Sequence, residues 1–192
     1  MKNPADKPIN DIFKKRWSPY AFDAGREVST QDLESLFEAA RWTMSSFNAQ
    51  PWRYIVGVRN RSEAVWQQVF DVLLEGNQAW AKNAPVLALG LAETNFEYNG
   101  KPNKAALHDL GAASASMTYE ATFRGLLVHQ MIGIDPERAR DAFKPGESVE
   151  PFTALAIGYP ADRSQANTDL VKRDDRQRLR KPLGEIIIGG GF

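Results

Sequence analysis

"TMSSFNAQPWRYIV", residues 43–56, decides how the chain is read, because it closes one apolar periodicity and opens another. Upstream of it, Ser29 and Thr30 offer N-caps, and Leu33, Leu36, Phe37 and Ala40 recur at helical spacing. A helix is predicted there, running to about Trp42. Downstream, RYIVGVR at 53–59 reads as a strand. A connection between them needs only a cap and a turn. Ser45, Ser46, Asn48, Gln50 and Trp52 bring more hydrogen-bonding chemistry than that, although a helix end followed by a turn also uses such residues. The surplus points to something polar docking on the loop.

Working outward, residues 9–15 read as a short helix broken by Pro19 within RWSPYAF. SEAVWQQVFDVLLEG, 62–76, spaces Val65, Val69 and Leu73 as one helix face, with Gly76 as a C-cap. VLALGLA, 86–92, is apolar throughout and reads as a strand covered on both faces. The segment 96–104 clusters Asn, Gly and Pro and reads as a loop. A long helix follows from Ala105 to about Gly125, carrying Leu107, Leu110, Met117 and Ala121. Its run of small residues from Gly111 to Ser116 would let another backbone approach closely. LLVHQMIG, 126–133, is short and apolar, and Asp135-Pro136-Glu137 opens a further helix. FTALAIGYP, 152–160, is a third strong strand. The connections are too irregular for a simple parallel sheet, so the fold class is α+β with a mixed or antiparallel sheet.

The C-terminal arm, about 161–192, is polar, with charges gathered from Lys172 to Lys181, and then turns apolar at EIII, 185–188. Such an arm either packs back on its own chain or finds a groove or sheet edge on a second subunit. Both readings stand on composition. Gly189, Gly190 and Gly191 precede no helix and read as a flexible end, with no phosphate cradle.

At 192 residues and 43% apolar, the chain suits a single domain over 1–192. Its 24 Lys and Arg balance 24 Asp and Glu, so no global field gathers nucleic acid or an anionic membrane. Any anion site must be local. Absence of cysteine removes disulfides, thiolate metal sites and thiol nucleophiles, and two histidines support no histidine-only metal site. MKNPADKPIN has no apolar leader-like core, and 86–92 is far shorter than the ~20 residues that span a bilayer. A cytoplasmic protein is expected.

Three polar clusters remain: Lys14-Lys15-Arg16-Trp17-Ser18, the loop Ser45, Ser46, Asn48 and Gln50, and the basic tail Arg173, Arg176, Arg178, Arg180 and Lys181. The first suits a phosphate, since Arg donates as a fork and Ser adds a donor. Taken singly, each is more often a solvated face or a plain turn. Together and in order they resemble the nitroreductase family of FMN-dependent oxidoreductases. Arg16-Trp17-Ser18-Pro19-Tyr20-Ala21-Phe22 is similar to an R-x-S-x-[RK]-x-F segment, and Ser45-Ser46-Phe47-Asn48-Ala49-Gln50-Pro51-Trp52 matches S-S-x-N-x-Q-P-W in full. Asn77 ahead of Ala84-Pro85, Asp109-Leu110-Gly111-Ala112-Ala113, Gly133, Ile157-Gly158-Tyr159-Pro160 and Arg180-Lys181-Pro182-Leu183 continue the resemblance along the whole chain.

The resemblance implies a nitroreductase-like fold: a central, mostly antiparallel sheet flanked by helices, with C-terminal arms exchanged in a homodimer. It implies that Arg16, Trp17, Ser18 and Tyr20 contact FMN at its phosphate and ribityl end, with Arg180 or Lys181 closing from the tail. Ser45, Ser46 and Asn48 would reach the flavin of the opposite subunit, while Gln50, Pro51 and Trp52 shape the loop. Asn77 would lie near the pyrimidine edge, and the backbone at Ile132 and Gly133 would donate to flavin N5. The sequence departs from the pattern at Tyr20, where a second cation is common, at Met44, and at Trp80, where some relatives carry a lysine. Trp80 either lines the pocket or packs in a helix core. His129 reads as a half-buried histidine or an acid, and His108 as structural or exposed. Phe47, Phe96 and Tyr98 are the candidate substrate contacts. The implied activity is hydride transfer from NADH or NADPH to an electron-poor acceptor by a ping-pong route, the alternative being a flavin store or redox sensor. Nucleic-acid binding by the tail lacks interleaved aromatic residues.

Overall fold

Strand β2, Val86–Glu93, organises the molecule, and its residues from Val86 to Ala92 are all buried. The computed structural model describes residues 5–190. Among them β1 (Trp52–Val58), β2, β3 (Leu127–Met131) and β4 (Val149–Gly158) form a sheet of order β1-β2-β4-β3, antiparallel at each pairing. The side-chain period of two then divides β2 between two cores. Val86, Ala88 and Ala92 face α2 (Thr30–Arg41) and the central helix α5 (Ala106–Phe123) with Leu36, Leu110 and Met117. Leu87, Leu89 and Leu91 face α3 (Glu63–Asp71) and α4 (Glu75–Ala81) with Trp66, Val69 and Trp80. Continuous apolarity was the signature of this double coverage.

The helix boundaries follow local chemistry. Ser29 caps α2 by accepting from the Asp32 N–H at 3.0 Å, and Asp135 caps α6 (Pro136–Phe143) by accepting from the Arg138 N–H at 3.0 Å. Gly125 follows α5 with φ +78°, a left-handed position suited to glycine. Helix α1 spans Asp11–Lys15.

The single helix expected over 62–76 is corrected to two. Helix α3 ends at Asp71, α4 begins at Glu75, and Gly76 lies inside α4 instead of capping a helix. The cause is tertiary. Leu73 bridges Ile134, the Leu74 N–H donates to the Gly133 carbonyl at 3.0 Å, and the Asp135 N–H donates to the Val72 carbonyl at 2.8 Å. Sheet-like bonds from the segment after β3 thus capture the backbone where local periodicity would have continued the helix, and Val72 and Leu73 are buried by the exchange.

The tail begins with α7 (Thr168–Asp174), packed on its own chain, and ends with α8 (Leu183–Ile186), where Ile188 just beyond is 94% exposed. Residues 1–4 and the final glycine and phenylalanine of the expected flexible end, Gly191 and Phe192, lie outside the described residues. No described helix is long and apolar enough to cross a membrane.

Candidate functional site

The segment after α1 and the segment after α7 are more than 150 residues apart in sequence and form one wall. Arg16 closes α1 by donating its backbone N–H to Ile12 at 2.9 Å, and its guanidinium donates to the Ser18 hydroxyl at 3.2 Å. The Asp174 carboxylate, only 8% exposed, accepts from the backbone N–H of Tyr20 at 2.7 Å and of Ala21 at 3.2 Å. Burial pushes its pKa up, and those two bonds pull it back. Arg178 then donates to the backbone carbonyls of Arg16 and Lys14. Between these segments lies a cleft of about 300 Å³ walled by Arg16, Ser18, Tyr20, Arg173, Arg178 and Arg180, with Trp17 at its border. Arg16 and Ser18 also wall an adjoining 210 Å³ hollow reaching Thr118 of α5 and Gln130 of β3.

Charge in the cleft is crowded. Burial, and then Arg180, lowers the pKa of Arg16, while burial, and then Arg16 and Arg180, lowers that of Arg178. An anion placed among them would relieve the repulsion, and a fork of guanidiniums with a hydroxyl is a phosphate donor set. Lys181 stands apart from this lining and faces Glu185 at 3.8 Å. Asp174, which sequence reasoning missed, is the clamp that brings the tail in. Its only sequence signal is an acid inside the basic run DDRQRLRK. Asp174→Ala leaves two backbone donors without their acceptor, so a loss of about 2 kcal/mol is expected. Urea denaturation measures it, and faster tryptic cleavage between residues 172 and 181 should accompany it.

The polar loop is held in costly backbone conformations. Phe47, Asn48 and Gln50 have φ of +52°, +53° and +46°. The Ser45 hydroxyl accepts from the Gln50 N–H at 3.0 Å, and the Ser46 N–H donates to buried Asp109 of α5 at 3.0 Å. Gln50 also donates its side-chain amide to the Asn48 carbonyl at 3.2 Å, and Pro51 accepts from the Glu93 N–H at 2.8 Å. These bonds fix the loop while the side chains of Ser46 and Asn48 make none of the described hydrogen bonds. Phe47, 83% exposed, meets Phe96 edge-on at 5.9 Å, and Phe96 lies 5.3 Å from Tyr98. The three candidate substrate contacts therefore share one surface, next to the Arg53–Glu97 ion pair at 2.6 Å.

Asn77 donates its side-chain amide to the Gly133 carbonyl at 3.0 Å. A Cβ on Gly133 would lie 2.5 Å from that nitrogen, so a side chain there would push the Asn77 amide from its place. The Gly133 carbonyl is thus doubly used, by Asn77 and Leu74, whereas its N–H makes none of the described hydrogen bonds. Ile132 is exposed beside it.

Trp80 borders none of these openings. At 1% exposed it packs among Phe22, Tyr20 and His129, stacked on the imidazole at 4.3 Å, so the pocket-wall reading is corrected to core packing. The strong apolar environment of α4 outweighs its position next to Asn77. His129 donates Nδ1–H to the Pro19 carbonyl at 2.8 Å, between the rings of Tyr20 and Trp80. Burial pushes its pKa down, the Pro19 bond pulls it back, and Arg173 and Arg16 lower it further. The native state holds it neutral where the unfolded chain takes a proton near pH 6.5. Unfolding then gains a proton as pH falls, so His129 subtracts stability below about pH 6.5, by no more than about 1.4 kcal/mol per pH unit. Denaturation at pH 7.5 and 5.5 should show a smaller acid loss in His129→Gln than in the natural chain. His108 is exposed and sits 3.1 Å from Asp109.

Fold and site together define the class: an antiparallel α+β protein whose terminal segments close a cationic cleft suited to a phosphorylated ligand. The nitroreductase family model matches residues 13–159, and the chain belongs to that family of oxidoreductases. It is 38% identical to the major NAD(P)H-flavin oxidoreductase of Aliivibrio fischeri over 218 aligned positions, covering 94% of this chain and 97% of that one. A crystal structure of an oxidoreductase containing FMN superposes with TM-score 0.89 at 30% identity, covering 99% of this chain and 96% of that chain. A nitroreductase family protein from Clostridium difficile 630 shares the fold, with TM-score 0.68 at 23% identity over 92% of this chain and 94% of its own.

Proposed function

We propose that this chain is an FMN-dependent oxidoreductase that takes hydride from NAD(P)H and reduces an electron-poor acceptor such as a nitroaromatic, a quinone or an activated alkene. The observation that carries the proposal is the guanidinium cleft between residues 16–20 and 173–180, whose donor set fits the FMN phosphate. Bound FMN supplies the hydride chemistry, and the chain supplies binding, orientation and electrostatics. Arg16, Ser18, Arg178 and Arg180 would hold the phosphate. Asn77 keeps the Gly133 turn in place so that its N–H can donate to the ring, where charge accumulates on reduction. Donor and acceptor would use one flavin face in turn, which makes the kinetics ping-pong, with Phe47, Phe96 and Tyr98 as the wall of that site.

A homodimer fits the surface. Trp42, Met44, Phe47 and Phe123 are large, apolar and exposed, and the outer flank of α5 presents Leu107, Gly111, Ala112 and Ala115. The side chains of Ser46 and Asn48 would serve the partner's flavin. The test is a visible spectrum of the desalted protein, repeated anaerobically with NADH and then NADPH. A flavin band that either nucleotide bleaches supports a reductase. A band that both leave unchanged overturns turnover and favours a store or sensor. Failure to take up added FMN overturns the cofactor assignment.

A further inference from the structure

Arg173 lines the cleft and belongs to the basic tail cluster, but lies outside the Arg16–Phe22 and Arg180–Leu183 segments that carry the family resemblance. Its guanidinium carbon lies over the face of the Tyr20 ring, 3.6 Å from the ring centre, the van der Waals separation at which the planar group stacks on an aromatic ring. Stacking of this kind uses the faces of the guanidinium plane and leaves the in-plane N–H fork to bind something else. Each acid nearby in the chain is already engaged. Asp174 accepts from the backbone of Tyr20 and Ala21, Asp175 takes Arg163 at 2.5 Å, and Asp169 pairs with Lys172 at 3.4 Å. The Arg173 side chain makes no described hydrogen bond or ion pair, whereas Arg41, Arg53, Arg124 and Arg163 each hold a carboxylate.

The platform beneath it is rigid. The Tyr20 ring packs edge-on against Trp80 at 5.3 Å and His129 at 4.8 Å, and its backbone N–H is held by Asp174. A long, flexible side chain is thus oriented before any ligand arrives, which reduces the entropy lost on binding. Arg173 stands on the same wall as Arg16, Ser18 and Arg180.

We infer that Arg173, held flat on Tyr20, is a phosphate-binding residue of this cleft, and that Tyr20 is the residue that positions it. The identity of the ligand rests on the reading above, that the cleft takes FMN. Tyr20 would thereby serve the phosphate without carrying charge itself.

Binding of FMN and of riboflavin, which lacks the phosphate, separates this from a structural role. Both are titrated by flavin fluorescence into the natural protein and into Arg173→Gln, Arg173→Lys, Tyr20→Phe and Tyr20→Leu. Arg173→Gln is expected to weaken FMN about tenfold or more and riboflavin less than about twofold, since only one ligand carries the anion. Arg173→Lys should recover part of the loss. Tyr20→Phe keeps the stack and should stay within about threefold for FMN, and Tyr20→Leu should behave as Arg173→Gln does. Equal weakening of both flavins, or no weakening of FMN, overturns the inference. If the natural protein takes up neither flavin, the functional reading fails separately, and inorganic phosphate decides. Broadening of its ³¹P signal by the natural chain and not by Arg173→Gln supports the role of Arg173, and identical behaviour of the two overturns it.

Discussion

Arg16→Ala is expected to weaken FMN binding about a hundredfold, which corresponds to about 2.7 kcal/mol. Hydrogen bonds to charged groups contribute about 1.5–3 kcal/mol, and Arg16 is the cationic cleft residue that also walls the adjoining hollow, already oriented by Ser18 at 3.2 Å. The tail should stay latched. Arg178 bonds the backbone carbonyl of Arg16, and Asp174 bonds the backbone of Tyr20 and Ala21, so neither contact needs the Arg16 side chain. The sign of the effect on the ligand-free protein is opposite. Arg16 is destabilised by burial and by Arg180, so its removal relieves repulsion, and the unliganded variant should melt no lower than the natural chain. Titration with FMN, alongside melting curves with and without it, checks both halves. FMN affinity equal to that of the natural chain would show that the phosphate sits elsewhere.

The second large effect concerns the fold. Gly57→Ala is expected to destabilise the protein by about 3 kcal/mol, the upper part of the usual cost of overpacking, and to lower Tm by about 6–12 °C. A Cβ at Gly57 would lie 2.2 Å from Trp66 Cα and 2.3 Å from its backbone nitrogen. Those are backbone atoms of α3, so no rotamer change relieves the clash, and α3 must move away from β1. Trp66 resists, being buried, stacked on Phe70 at 5.2 Å and donating Nε1–H to the Ala84 carbonyl at 3.1 Å. Gly76→Ala makes the contrast. Gly76 lies within α4 with nothing in the way of a Cβ, so alanine should add about 0.5–1 kcal/mol. Loss of stability there would return Gly76 to the role of a C-cap. Urea denaturation of the two variants measures both.

Much of the molecule was legible because its signals are local. Ser29 and Asp135 cap helices by bonding N–H groups three residues on, within the reach of a motif. The alternation in β2 was hidden, yet its continuous apolarity announced cover on both sides. The polar loop was recognisable for a related reason: its left-handed residues and the Ser45 hydroxyl that accepts from the Gln50 N–H are demands that few side chains meet, so its composition stands out. Gly57 carried no such mark. It sits in a strand like other small residues there, and only the approach of α3 makes it irreplaceable.

By itself, then, the sequence determined the α+β class, the N-caps at Ser29 and Asp135 and most elements, the absence of thiol chemistry and membership of the nitroreductase family. The class, caps and elements follow from composition and from interactions that span a turn of helix or a few residues of strand, and the family follows from motifs matched in order along the chain. The tertiary structure alone decided that 62–76 breaks into two helices, that Trp80 belongs to the core, that Asp174 clamps the tail and that Arg173 rests on Tyr20. Each of these is settled by a partner some 50 to 155 residues away, where burial and hydrogen bonding outweigh local preference and leave no periodicity to read.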